Sequence, residues 1–280
     1  KILQKQLRGH SLQFYTASLQ ERDISELKDI DIISIFIYSK ISAETLRALP
    51  NLKCIATRST GFDHVDMKAC RKKGIIVCNV PTYGENTVAE HTFALILSLS
   101  RKVYQSYIRV LANDFSIAGL KGFDLKGKTL GVIGTGHIGS HTIRIAKGFE
   151  MDVLAYDTFP KTQLAKRWGF SYVSLKELLK KSDIVTLHIP LTEKTHHLIN
   201  DHALASMKQG AILINTARGE LVNTCALLQA LESGKLAGAG LDVIEGEAKI
   251  KDEKQLLHEE NATALKRLVQ EYNLIRNERV

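Results

Sequence analysis

No apolar run in the sequence is long enough to cross a bilayer: the longest, FALILSL, falls far short of the roughly 20 residues a membrane helix needs. No secretory signal pattern appears in it, so the expectation is a cytoplasmic protein with no membrane partner. Cysteine is scarce. The four residues Cys54, Cys70, Cys78 and Cys225 form no CxxC and keep no metal-ligand spacing. Three of them lie in or beside apolar segments, which predicts reduced thiols rather than a disulfide or zinc framework. A long basic block is missing too: Lys and Arg are interspersed with Asp and Glu, so the net charge of +8 does not mark a nucleic-acid binder. What remains is ordinary globular composition, 44% apolar and 24% charged, over 280 residues, enough for two domains with real cores.

The chain alternates apolar β-branched runs with helical patterns. Strands are expected at 12–16, 31–37, 52–57 and 75–78, with helices near 24–29, 42–49 and 64–73; Ser42 and Glu44 can cap the second helix and Pro50 closes it. A single long helix is expected from Glu85 to Val110. Its stripe Ala89, Phe93, Ile96, Leu97 and Ser100 is expected to pack between domains or subunits, which implies a homodimer. After a Gly-rich connection, strands are expected at 129–133, 152–156, 171–173, 184–188, 211–215 and 237–241, with helices at 138–149, 161–168, 174–181, 200–207 and 224–233. Strands this apolar, alternating with helices, predict a parallel sheet covered on both faces. Small, polar and charged residues collect at the strands' carboxyl ends, where such sheets bind ligands.

One of those ends reads LGVIGTGHIGSHTIRIAKGFEMDVLAYD, from Leu130 to Asp157. Gly134 makes the tight turn after the strand, Gly136 lets backbone approach a pyrophosphate, and Gly139 lets the helix pack against the strand. The following helix aims unpaired amides at the phosphates. Asp157, 18 residues after Gly139, ends the next strand, where a carboxylate binds ribose hydroxyls and repels a 2′-phosphate. NAD is therefore the expected cofactor, in preference to NADP. A ligand-free glycine turn is the competing explanation, weakened because strand, helix and acid all fall in register.

Longer phrases carry a resemblance. INTARGELVNTCALLQALESGKLAGAGLDVIEGE, VPTYGENTVAEHTFALIL, TRSTGFDHVD and SDIVTLHIPLTEKTHHLI resemble the D-isomer-specific 2-hydroxyacid dehydrogenases over about residues 30 to 247. Within that family the wording is most similar to D-lactate dehydrogenases. The resemblance implies an α/β fold of two doubly wound parallel-sheet domains with a cleft between them. A flavodoxin-like substrate domain would span 1–83 and a Rossmann NAD-binding domain 84–280. It also implies reduction of a small 2-keto acid, pyruvate, to the D-2-hydroxy acid.

Such a reaction needs an anchor for the substrate carboxylate, a polariser for the ketone, and a proton. Arg218, always charged and forked, suits two-point binding of the carboxylate or keto oxygen. A surface arginine at a helix start is the alternative, and a cation there would oppose the helix dipole. By resemblance, Thr60 and Gly61 belong to the loop whose amides hold the substrate carboxylate, and Tyr83 faces the substrate. Each could equally be turn or hinge packing. Glu247, 29 residues after Arg218, matches the residue that keeps a catalytic histidine protonated. Glu245 competes for that role, as does a solvated acid. Asp242 matches the nicotinamide carboxamide partner, His137 and Ile138 the pyrophosphate pair, Ile189, Pro190 and Thr195 the loop over the adenosine half, and Thr216 and Ala217 neighbours of the nicotinamide.

The family's acid is a histidine in a Thr-Pro-His phrase, and none occurs here. The expectation is that the chain is a fragment or part of a longer protein, with that histidine past Val280 and a first strand before Lys1. His188 and His91 read as structural, and His258 as a solvated helix residue. His196 and His197 lack a third ligand at suitable spacing, so no metal is expected. Two alternatives remain: an NAD-sensing transcriptional corepressor of the same fold, and a dehydrogenase for glyoxylate, hydroxypyruvate or phosphoglycerate. Arg58 is a candidate second cation for a phosphorylated substrate.

Overall fold

The computed structural model describes residues 2–246 together with Leu274, Asn277, Arg279 and Val280. Two compact units divide it, Lys1–Tyr83 and Gly84–Val280.

In the first unit, α1 (Ile2–Gln6) is exposed throughout. Residues 12–16 form no strand; Phe14 and Tyr15 are exposed, and no strand among the described residues pairs with them. Then come β1 (Ile32–Ile35), α2 (Ala43–Ala48), β2 (Cys54–Thr57), α3 (Met67–Lys72) and β3 (Ile76–Cys78). Ser42 caps α2 by accepting from the Thr45 amide at 3.1 Å. The expected helix near 24–29 is a 3₁₀ turn, Ile24–Leu27. The three strands pair in parallel in the order β1-β2-β3. One face of this sheet packs: Ile35 and Ile55 meet Leu46, Leu49, Cys70 and the 3₁₀ residues Leu19 and Leu27. The other face carries the exposed Ile32 and Ile76.

In the second unit, α4 (Glu85–Arg101) is followed by a separate α5 (Val103–Leu111). The single helix expected over 85–110 is therefore broken, at Lys102, which adopts a left-handed conformation with φ 56°. Phe123 donates its amide to the Ser100 carbonyl at 3.0 Å, which takes one of the last acceptors of α4 into a loop contact. The stripe Ala89, Phe93, Ile96 and Ser100 is buried inside this unit. α5, by contrast, buries nothing and exposes Val103, Tyr104, Tyr107, Ile108 and Leu111.

The remaining elements are β4 (Thr129–Ile133), α6 (His137–Gly148), β5 (Asp152–Tyr156), α7 (Thr162–Trp168), β6 (Ser171–Tyr172), α8 (Leu175–Lys181), β7 (Ile184–Leu187), α9 (Asp201–Ser206), β8 (Ala211–Asn215), α10 (Thr224–Glu232) and β9 (Leu236–Leu241). All six strands run parallel in the order β6-β5-β4-β7-β8-β9. The chain winds outward from β4 to β6, returns beside β4, and winds outward the other way. That reversal between β4 and β7 is the topological switch point of a Rossmann sheet. β7 and β8 are buried at every residue, as strands covered on both faces must be. One core joins them to α8, α9 and α10 through Leu178, Leu204 and Leu227; a second joins them to α4 and α6 through Phe93, Ile96 and Ile143.

Candidate active site

The switch point is built from β4 outward. The Gly134 amide donates to Tyr156 at 2.8 Å, and the His188 amide donates to Ile133 at 2.7 Å, which ties together the ends of β5, β4 and β7. Gly134 has φ +94°, and a Cβ there would lie 2.4 Å from the His188 carbonyl oxygen. A Cβ on Gly139 would lie 2.0 Å from the Gly134 carbonyl oxygen, so both positions accept only glycine. Gly136 differs: a Cβ there would meet nothing within 4 Å. It is the N-cap of α6, and no side chain caps that helix. Among the described residues no side chain occupies this N-terminus, which leaves its first amides available to an anion.

Asp157 lies beside this turn. Its Oδ2 accepts from the Thr135 amide at 2.6 Å and from Thr135 Oγ1 at 2.8 Å, while Oδ1 accepts from the Phe159 amide at 2.9 Å. Burial raises its pKa, but the donors from Phe159 and Thr135, with Lys161 nearby, outweigh that and hold the carboxyl below its ordinary value. It stays ionised, with three of about four acceptor positions taken by the chain. His137, at the start of α6, places Nδ1 3.1 Å from Glu85 Oε1 at the start of α4. Ile138 is half-buried beside it.

His188 ends β7. Its Nε2 meets Thr186 Oγ1 at 3.1 Å, and its Nδ1 is buried with no partner among the described residues. Burial pushes its pKa down to about 3, so it is neutral at physiological pH and does not serve as a protonated general acid there. Ile189 and Pro190 follow. Thr195 Oγ1 donates to the Pro190 carbonyl at 2.8 Å and thereby closes the loop after β7.

At the end of β8, Asn215 shapes the next turn. Its Oδ1 accepts from the Ala217 amide at 3.1 Å and its Nδ2 donates to the Arg218 carbonyl at 2.8 Å. Asn215 ends the strand expected at 211–215 and carries a turn-shaping role that its sequence position alone does not reveal. Thr216 is buried, with its hydroxyl 3.0 Å from that of Thr92 on α4. Arg218 is partly exposed and directs Nη1 to the Ala217 carbonyl at 2.6 Å. The helix that follows it is only the 3₁₀ turn Gly219–Leu221. The dipole argument for an anion at Arg218 loses its force there, because three residues make almost no macrodipole. Asp242, at the end of β9, donates its amide to the Asn215 carbonyl at 3.0 Å and faces His91 Nε2 at 3.4 Å. Glu247 lies outside the described residues.

The competing acid Glu245 is not solvated. It is buried, with Oε1 2.9 Å from His197 Nε2. His196, His197 and Glu245 bring their ligand atoms within 4.8 Å of one another, a grouping the spacing of the histidines did not reveal because its third member is 48 residues away.

In the first unit, Thr60 and Gly61 follow β2. Thr60 Oγ1 donates to the Val80 carbonyl at 3.0 Å, and Ser59 Oγ donates to the Gly61 carbonyl at 2.7 Å. Tyr83 and Arg58 are exposed. The structure thus gathers Gly134, Gly136, His137, Ile138, Gly139, Asp157, Ile189, Thr216, Ala217, Arg218 and Asp242 along the carboxyl edge of one sheet. Thr60 and Gly61 lie at the end of a strand of the other.

A family profile described as "D-isomer specific 2-hydroxyacid dehydrogenase, NAD binding domain" matches residues 93–265. The chain is 42% identical over 244 residues to "2-hydroxyacid dehydrogenase homolog 1" of Schizosaccharomyces pombe, covering 86% of this chain and 73% of that protein. It is 41% identical over 228 residues to a glyoxylate reductase of Korarchaeum cryptofilum, covering 80% and 69% respectively. A crystal structure of D-lactate dehydrogenase from Aquifex aeolicus, complexed with NAD and lactic acid, superposes with a TM-score of 0.90 at 42% identity, covering all of this chain and 83% of that one. Profile, relatives and fold agree: the chain belongs to the D-isomer-specific 2-hydroxyacid dehydrogenases, NAD-dependent oxidoreductases.

Proposed function

We propose that the chain reduces a small 2-keto acid, pyruvate, to the D-2-hydroxy acid, with Arg218 as substrate anchor and Glu247 as support for the protonated general acid. The observation that carries this reading is the open, uncapped α6 N-terminus at Gly136, on the same sheet edge as Arg218. NADH supplies the hydride that the keto carbon accepts, and the keto oxygen takes a proton to become the hydroxyl. Gly136, His137 and Ile138 would hold the pyrophosphate through backbone amides. Asp157, ionised and with acceptor capacity left, would take the ribose hydroxyls and disfavour a 2′-phosphate. Ile189, Pro190 and Thr195 would border the adenosine half; Thr216, Ala217 and Asp242 would border the nicotinamide.

Arg218 would pair with the substrate carboxylate and draw electron density from the ketone, an interaction that strengthens as the oxygen gains charge. Thr60, Gly61 and Tyr83 would complete the substrate site. No described histidine is assigned the proton; His188 is held neutral, and His197 is committed to Glu245. The exposed apolar face of α5, Val103, Tyr104, Tyr107, Ile108 and Leu111, supports a homodimer, on a different helix segment from the stripe first expected.

The similarity to a glyoxylate reductase favours glyoxylate as the second reading. The test is NADH oxidation by the full-length protein with pyruvate, glyoxylate, hydroxypyruvate and a phosphorylated keto acid. The expected result is highest kcat/KM with pyruvate and at least tenfold preference for NADH over NADPH, lost in Asp157→Ala, a factor of ten being about 1.4 kcal/mol. Glyoxylate outperforming pyruvate selects the second reading. NADPH serving equally well removes the role of Asp157.

A further inference from the structure

We propose that Glu245 is a positioning residue: its buried carboxylate locks the segment that leads into Glu247 against the turn that carries Arg218. This rests on the reading in which those two residues serve the reaction.

The lock has three attachments. The first is the close approach of two backbones. A Cβ on Gly219, the residue after Arg218, would lie 2.1 Å from the carbonyl carbon of Ile244 and 2.4 Å from the Glu245 amide nitrogen. The second is at the start of α10, where Glu245 Oε2 accepts from Thr224 Oγ1 at 3.0 Å and from the Thr224 amide at 3.3 Å. The third is His197. Asn223 uses its Oδ1 to accept from the Ala226 amide at 2.9 Å, so its Nδ2 is the atom that faces His197 Nδ1 at 3.3 Å. Nδ1 is therefore an acceptor, Nε2 carries the proton, and Nε2–H donates to Glu245 Oε1 at 2.9 Å. Both ring nitrogens are committed to hydrogen bonds, which favours a proton-mediated lock over a metal at the His196–His197–Glu245 grouping.

His197 is itself anchored beside Arg218. Its amide donates to the Glu220 carbonyl at 2.9 Å, and the Ile199 amide donates to Leu221 at 3.0 Å. The 3₁₀ turn after Arg218 is thus held from one side by residues 197–199 and from the other by Ile244 and Glu245. The Glu245 side chain joins the two sides. Glu247 follows two residues later in the chain. Buried, paired carboxylates of this kind fix geometry because every alternative placement leaves donors unsatisfied.

The test is steady-state kinetics of the full-length protein with Glu245→Ala and His197→Asn, the latter chosen because asparagine tolerates the left-handed backbone at 197. Arg218→Ala is measured beside them. The expected result is a 10- to 100-fold loss in kcat/KM for the keto acid, on the order of what a small misplacement costs. The NADH dissociation constant should stay within about twofold, since the phosphate cradle is untouched. The alkaline limb of the kcat/KM–pH profile should move down by on the order of one pH unit, as the acid loses the support of Glu247. If Glu245→Ala does not fold, His197→Asn decides. Wild-type kinetics in the folded variants overturn the inference, and so does a loss that is uniform across pH. Those outcomes with a strong loss in Arg218→Ala strike the positioning role alone, whereas unchanged activity in Arg218→Ala strikes the functional reading itself.

Discussion

Among the described residues, the two units share a parallel-sheet plan and differ in how far their sheets are covered. In the second, six strands are clad on both faces, and β4, β7 and β8 are almost wholly buried. In the first, the three strands among the described residues pack on one face, while Ile32 and Ile76 on the other are 62% and 63% exposed. The expected ligand-binding features also concentrate in the second: the switch point, the open helix N-terminus and the turn shaped by Asn215 lie there. A sheet needs cover on both faces before its carboxyl edge becomes a rigid rim, and rigid rims are what position reacting groups.

The comparison breaks most sharply on equivalent core truncations. Ile55 in the first unit and Ile214 in the second are both fully buried. Each change to alanine should cost about 2–5 kcal/mol. The smaller first core should unfold locally on Ile55→Ala, while Ile214→Ala leaves the second unit folded with a lowered melting temperature. Hydrogen exchange resolved by segment checks this; equal loss of protection in both units would contradict it.

Gly139→Ala sharpens the second unit's side. The added methyl meets backbone that cannot move aside, and overpacking of this kind costs about 1–3 kcal/mol. NADH affinity should fall more than stability explains, because the displaced element is the α6 N-terminus itself; fluorescence titration against thermal denaturation separates the two.

A smaller effect comes from His188. Its folded pKa, about 3, lies below its unfolded value near 6.5, so the unfolded chain takes up a proton first as pH falls. The stability from burying the neutral ring is fully present above pH 6.5 and drains between there and pH 3, with a slope of up to about 1.4 kcal/mol per pH unit. His188→Asn should flatten that slope in urea denaturation between pH 7 and pH 4. An unchanged slope would mean that the ring is accessible to protons in the folded protein.

The two units also differ in how legible they were. The strands at 129–133, 152–156 and 211–215 fall where apolar β-branched runs predicted them, because buried strands leave no room for polar residues. The run at 12–16 looked similar locally and has no strand partner among the described residues, and pairing leaves no local signature. The break at Lys102 was hidden for a related reason: lysine is no left-handed specialist, and the contact from Phe123 comes from a loop 21 residues on. The glycine turn was legible because each glycine answers a steric demand. The contacts of Glu245 were not: the sequence offered it only as a rival to Glu247, and His197 and Thr224, 48 and 21 residues away, are brought to it by the fold alone.

The central claim is that Arg218 acts on the substrate and not on the cofactor or the fold. Measuring kcat/KM for pyruvate in Arg218→Ala, with NADH affinity determined on the same sample, tests it directly. The account predicts a loss on the order of 100- to 1,000-fold at unchanged NADH affinity; full activity, or a loss matched by weakened NADH binding, would contradict it.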